Sequence, residues 1–151
     1  MKSTRPNKVL TGIAGEYFVA AELSRRGYVA SLTLRNTRGI DILAPNSDAT
    51  KSAGIQVKAN SGKKPHWLLS QKAESDIAEN LFYVFINLNG AEFPEYYIVP
   101  RAEVAKQVRE SHKAWLARPG LDGQAHRDNT MRVFRDPEKK YLNAWHLLGL
   151  G

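Results

Sequence analysis

The sequence contains no cysteine, which excludes disulfide bridges, thiol nucleophiles and any zinc site built on thiolates. It also has no apolar run of about 18 residues, so no segment is read as a membrane span. The opening stretch MKSTRPNKVL is charged and lacks an apolar core, so no secretory signal is expected, and the expected compartment is the cytoplasm. Neither G-x-S-x-G, S-x-x-K nor a phosphate-cradling glycine loop occurs, which leaves acyl transfer and P-loop chemistry without support. The four histidines, His66, His112, His126 and His146, form no HExxH, H-x-E or HNH spacing and read as surface or packing residues. His126 has a second reading as a phosphate contact, because it lies beside Arg127, Asp128, Asn129 and Arg132. Repeats and low-complexity tracts are absent as well.

Acidic residues are the scarcer charge. Fifteen Asp and Glu stand against 22 Lys and Arg, for a net charge of +7, and such a surface attracts polyanions through its field and through counterion release. Many basic proteins bind nothing in particular. Here, however, basic residues cluster around one region (Arg35, Arg38, Lys58, Lys63, Lys64) with no compensating acidic run, which favours a nucleic-acid partner. The 151 residues, 42% hydrophobic and 25% charged, suit one soluble globular domain spanning 1–151.

Apolar periodicity predicts a helix from Leu10 to Arg26, closed by Gly27. Gly12 and Gly15 inside it each cost roughly 1 kcal/mol against alanine, which implies a close neighbour. Strand-like segments follow at Tyr28–Leu34, Gly39–Ala44 and Gly54–Ala59, the last two forming a hairpin. Residues 60–66 read as a loop and Ser70–Asn80 as a short helix. Leu81–Leu88, almost wholly apolar, reads as a central strand covered on both faces, and Tyr96–Val99 as another strand. Pro100 precedes a helix over Arg101–Ala117; an irregular stretch over Arg118–Asn129 and a small strand at Met131–Phe134 come next. Asp136-Pro137 suits the cap and first position of a last helix bearing Tyr141, Leu142, Trp145 and Leu148. The fold class is α/β (α+β), a mixed central β-sheet flanked by helices, with a core over about 10–100 and a C-terminal helical extension over about 101–151. The three tryptophans are read as core residues, with base stacking as the alternative.

Three segments carry residues that a packed fold does not need. Glu16 has Gly12, Ile13, Val19, Ala20 and Leu23 as helical neighbours, and a carboxylate on such a face requires a cation or hydrogen bonds. Its bland reading is a pair with Arg35 or Arg38. Asp41 lies within GIDILA, although aspartate is a poor strand former; a solvated sheet face and a rigidly held metal ligand both account for it. In IQVK, alternation sends Gln56 and Lys58 to one face, which the hairpin lets Asp41 share. Q-x-K alone is weak, but helix Glu, strand Asp and a second strand with Gln-x-Lys form a joint pattern suited to phosphodiester hydrolysis. A hard cation takes oxygen ligands, and a nearby lysine orients water and neutralises charge on the phosphate. In that arrangement Asp41 is the principal ligand, with the Gln56 side chain and the Val57 carbonyl beside it. Glu16 acts through water or at one remove, and Lys58 faces the nucleophile.

GEYFVAAELSRRGY, NTRGIDILAPN and IQVKAN together resemble the core of the PD-(D/E)XK nuclease superfamily, most closely its Holliday-junction-resolvase-like and Mrr-type restriction endonuclease branches. The resemblance covers about residues 10–60. It implies a restriction-endonuclease-like fold and a site of Glu16, Asp41, Gln56 and Lys58. It further implies a Mg²⁺ or Mn²⁺ cofactor, with Asp41, Gln56 and Val57 as metal ligands, and DNA as substrate, with Arg35, Arg38, Lys63 and Lys64 as DNA contacts. Gln56 replaces the usual second acidic residue, a substitution shared with the Mrr-type branch, and one fewer negative charge weakens cation binding. Two alternatives stay open: a non-catalytic DNA-binding protein on the same fold, and a basic protein–protein accessory module. A homodimer is the one self-association the reading leaves in view.

Overall fold

In the computed structural model, which describes residues 6–34, 39–75 and 77–151, the first element is the helix α1 (Lys8–Arg25). Asn7 begins it by accepting the Leu10 backbone N–H at 2.9 Å, the role of an N-cap side chain. Gly27 ends it with φ at 89°, a left-handed conformation that glycine adopts without penalty. Thr11, Gly15, Val19 and Leu23 are its buried residues, a four-residue spacing that keeps one face against the sheet. Gly15 explains its own presence. A Cβ built there would stand 2.7 Å from Ala59 Cβ and 3.2 Å from Ile86 Cγ2, so the helix lies too close to the sheet for a side chain. The same close approach was expected of Gly12, where a Cβ would meet nothing within 4 Å.

The strands are β1 (Ser31–Leu32), β2 (Ile42–Pro45), β3 (Ser52–Asn60), β4 (His66–Ser70), β5 (Leu81–Asn87), β6 (Glu95–Pro100) and β7 (Met131–Arg135). Five make one sheet in the order β1-β2-β3-β5-β6. β3 and β5 run parallel, and the other neighbours are antiparallel, so the sheet is mixed as expected. The predicted hairpin is present: Ile42 pairs with Ile55 and Pro45 with Ser52.

β5 lies inside the sheet and is buried on both faces. Phe82, Val84 and Ile86 join the cluster beneath α1 with Val19, Leu23, Ile42, Ile55 and Trp145. Tyr83 and Phe85 point the other way, into a cluster with Trp67, Tyr97, Val104, Val108 and Phe134. The second cluster is closed by the helix α2 (Arg101–Ala117) and by the pair β4–β7. Trp67 anchors it, donating Nε1–H to the Ile86 carbonyl at 3.2 Å with its ring 5.0 Å from Phe85 and Tyr97. Trp67 and Trp145 are core residues. Trp115 is half-buried and stacks on His126 at 4.1 Å.

Three expectations are corrected. The segment after residue 65 is the strand β4, and of the helix expected over Ser70–Asn80 the described residues show a 3₁₀ turn at Gln71–Glu74 alone, residue 76 lying outside them. No α-helix follows Asp136-Pro137. The Asp136 carboxylate does accept backbone N–H groups, from Lys140 at 2.9 Å and Tyr141 at 2.8 Å. Lys139 and Asn143 then take φ values of 56° and 54°, which a helix cannot continue through. Meanwhile Tyr141 O and Asn143 N–H bond to Ile98 and Tyr96, so this backbone extends the β6 edge. The C-terminal extension is therefore α-helical only over α2, ending in a 3₁₀ turn at Trp145–Leu148.

Candidate active site

Asp41 was expected in mid-strand; it sits instead at a bend just before β2. Its N–H donates to the Ile55 carbonyl at 2.8 Å, yet Ile55 is the pairing partner of the next residue, Ile42. Two successive residues thus face one on β3, the arrangement of a β-bulge, which re-aims a side chain at the end of a ladder. The Asp41 carbonyl accepts the Thr33 N–H at 2.9 Å. Its carboxylate Oδ2 accepts the Val57 N–H at 2.7 Å. The backbone of Asp41 is tied to Thr33, just past β1, and to β3, and its side chain takes the place of a missing strand partner.

On β3, the alternation read from the sequence holds. Val57 is buried in the cluster beneath α1, where its Cγ1 would lie 3.4 Å from a Cβ on Gly15. Gln56 and Lys58 point to the opposite face and line an open cavity of about 450 Å³ with Gly39, Lys72, Tyr83 and Arg101. The Val57 N–H faces the β2 edge, and in an extended strand the carbonyl of the same residue faces that edge too. Asp41 is therefore bonded to the backbone between Gln56 and Lys58. Glu16 is half-buried on α1, one residue beyond the Gly15 contact, and is not among the residues lining the cavity.

Sequence reasoning missed Arg101. Its side chain is only 2% exposed, its Nη2 donates to the Gly39 carbonyl and lies 3.4 Å from Gln56 Oε1, and its guanidinium stacks 5.0 Å from the Tyr83 ring centre. One signal was legible. An arginine at the first position of a helix opposes the helix dipole, so an external partner was to be expected. Gly39, with φ at 61°, brings its carbonyl to that partner.

Of the expected DNA contacts, Lys63 and Lys64 are exposed beyond the end of β3, and Lys63 pairs with Glu92 at 3.0 Å. Arg35 and Arg38 lie outside the described residues. Among the described residues, no group of three or more His, Cys, Asp or Glu side chains is placed to hold a metal. No helix there is long and apolar enough to cross a membrane.

The chain matches no protein-family model and no curated protein sequence. Two solved structures share its architecture. The Holliday junction resolvase Hjc of the archaeal hyperthermophile Archaeoglobus fulgidus is 15% identical, with a TM-score of 0.51 over 87% of this chain and 88% of that one. The bacterial homing endonuclease I-Ssp6803I is 14% identical, with a TM-score of 0.57 over 95% of each chain. The fold is the restriction-endonuclease-like fold of PD-(D/E)XK nucleases.

Proposed function

We propose that the protein is a divalent-metal-dependent DNA nuclease, an endonuclease, that hydrolyses phosphodiester bonds with water. The observation that carries this reading is the bond from the Val57 N–H to Asp41, which brings a bulge-held carboxylate to the strand segment bearing Gln56 and Lys58. The nuclease architecture agrees with it.

The donors fit a hard cation such as Mg²⁺ or Mn²⁺, which takes oxygen ligands and needs few from the protein. Asp41 and the Val57 carbonyl would hold it. Gln56 is the third candidate, although its oxygen already faces Arg101. A bound cation polarises the phosphate and acidifies a water molecule. Lys58 supplies a positive charge beside the reacting phosphate and orients the attacking water through its ammonium hydrogens. Glu16 acts at one remove, and Lys63, Lys64, Arg35 and Arg38 bind the DNA backbone by charge. A cytoplasmic setting goes with this reading.

A homodimer belongs to the same proposal. Leu10, Tyr17, Ala21 and Ser24 recur on the outward side of α1 at helical spacing, and none is charged. Leu10 is 53% and Tyr17 62% exposed. A second copy packed there would give a duplex-cutting enzyme one site per strand.

The second reading is a binding-only protein on the same fold, favoured by the guanidinium of Arg101 beside the Gln56 oxygen. Incubating plasmid, branched and single-stranded DNA with the protein and Mg²⁺ or Mn²⁺ separates the two. Cleavage by the wild type and none by Asp41→Ala supports the nuclease. DNA binding without cleavage of any substrate supports the second.

A further inference from the structure

β7 has one edge against β4 and the other beside α2. The Thr130 carbonyl accepts the Gln71 N–H and the Asp136 N–H donates to Pro65, both on the β4 side. By alternation the peptide groups of Met131, Val133 and Arg135 face the outer edge. At Arg135 a side chain closes that edge: Gln107 Oε1 accepts the N–H at 2.8 Å and Gln107 Nε2 donates to the carbonyl at 2.9 Å. At Met131, Asn129 Oδ1 accepts the N–H and Arg132 Nη1 donates to the carbonyl, each at 2.9 Å. Between them Val133 is open. Among the described residues neither its N–H nor its carbonyl has a partner. Ser111, one helical turn beyond Gln107, bonds back to the Val108 carbonyl instead. A cavity of about 230 Å³ stands there, with Ser111, His112 and Trp115 on its α2 side.

We infer that this cavity is a nucleobase pocket, which takes one unstacked base of a single-stranded nucleic acid. The Gln107 carboxamide shows what the edge accepts: a planar group with a donor beside an acceptor. The Watson–Crick edge of every base carries that pair. A peptide strand does not fit, because strand addition needs a run of open positions and this edge is closed two residues to either side. Aromatic surface is at hand: Trp115 stacks 4.1 Å from His126 and 5.4 Å from His112 between ring centres, and aromatic side chains hold bases with little regard to sequence. Arg135, exposed in the same wall, meets the phosphates that flank the base. Ser70, in the wall of the Gln56–Lys58 cavity, pairs with Met131 in the wall of this one, so the two cavities adjoin across the β4–β7 pair. The pocket rests on the nuclease reading only for DNA as the nucleic acid.

The test is fluorescence anisotropy of the full chain in EDTA, with amide NMR of Val133 beside it. The probes are a short single-stranded DNA of mixed sequence, an abasic strand of the same length, and acetamide. The expected result is binding of the base-bearing strand about tenfold tighter than the abasic one, with a Val133 amide shift in the first case alone. Ser111→Leu, which fills the cavity from the helix surface, removes that preference. Val133→Pro removes it too, by deleting an N–H that the β4–β7 ladder does not use; if this variant does not fold, Ser111→Leu decides. Equal binding of the two strands by the wild type, or a preference unchanged in folded Ser111→Leu, overturns the pocket. A Val133 amide that shifts with acetamide and with neither strand assigns the edge to a protein carboxamide and overturns the base reading. Base-dependent binding without cleavage in Mg²⁺ defeats the nuclease reading alone, and cleavage with no base preference in binding defeats the pocket alone.

Discussion

Asp41 Oδ2 accepts the backbone N–H of Val57 at 2.7 Å, so one carboxylate finishes the sheet edge at the strand segment that carries Gln56 and Lys58. Its hydrogen bond and its charge separate by mutation. Asp41→Asn keeps an oxygen acceptor for Val57 and loses the charge; its thermal midpoint stays near wild type while metal-dependent cleavage is lost. Asp41→Ala loses both, with a stability cost of about 1–3 kcal/mol for an amide left without its partner. Urea denaturation of the two variants measures the difference.

The close approach of α1 to β3 gives a paired prediction from two glycines of one helix. Gly15→Ala forces a Cβ to 2.7 Å from Ala59 Cβ, and such overpacking costs about 1–3 kcal/mol. Gly12→Ala meets nothing within 4 Å and gains up to about 1 kcal/mol of helix propensity. Chemical denaturation shows opposite shifts of the two midpoints.

His112 Nε2 lies 2.8 Å from Asp128 Oδ1, and this bond, with that from the Asn129 N–H, lowers the pKa of the exposed Asp128 carboxyl. A group depressed by folding contributes stability above its unfolded value, about 3.9 for aspartate. That contribution is lost as pH falls through the depressed value. Urea midpoints followed from pH 6 down to pH 3 show wild type above Asp128→Asn at the upper end and the two curves converging at the lower.

The outward side of α1 predicts self-association. Tyr17→Glu places a charge in the uncharged stripe without touching the buried face, so sedimentation velocity shows a dimer for the wild type and a monomer for the variant. Two monomers contradict the homodimer and leave the nuclease reading standing.

Much of the fold was legible because burial writes a period into the chain. Leu81–Leu88 reads as a doubly covered strand since Phe82, Val84 and Ile86 face one cluster and Tyr83 and Phe85 the other. Residues 101–117 read as a helix with both ends correct. The 136–148 region misled because an Asp-Pro start signals a turn as readily as a helix. The left-handed residues Lys139 and Asn143 and the pairing with β6 are tertiary choices that no local pattern records. Gln56 and Lys58 sharing a face followed from alternation. The bulge at Asp41 and the reach of Arg101 across the chain to Gly39 did not, since both depend on contacts between distant segments.

The proposed activity is hydrolysis of DNA by the Asp41–Lys58 region with a divalent cation. Single-turnover cleavage of end-labelled linear and branched DNA, with Mg²⁺ or Mn²⁺ titrated against wild type, Asp41→Asn and Lys58→Ala, tests it most directly. The expected result is metal-dependent cleavage by the wild type, none by either variant, and a metal affinity retained in Lys58→Ala but lost in Asp41→Asn. Equal cleavage by wild type and Asp41→Asn, or no cleavage by the wild type with either metal, would contradict it.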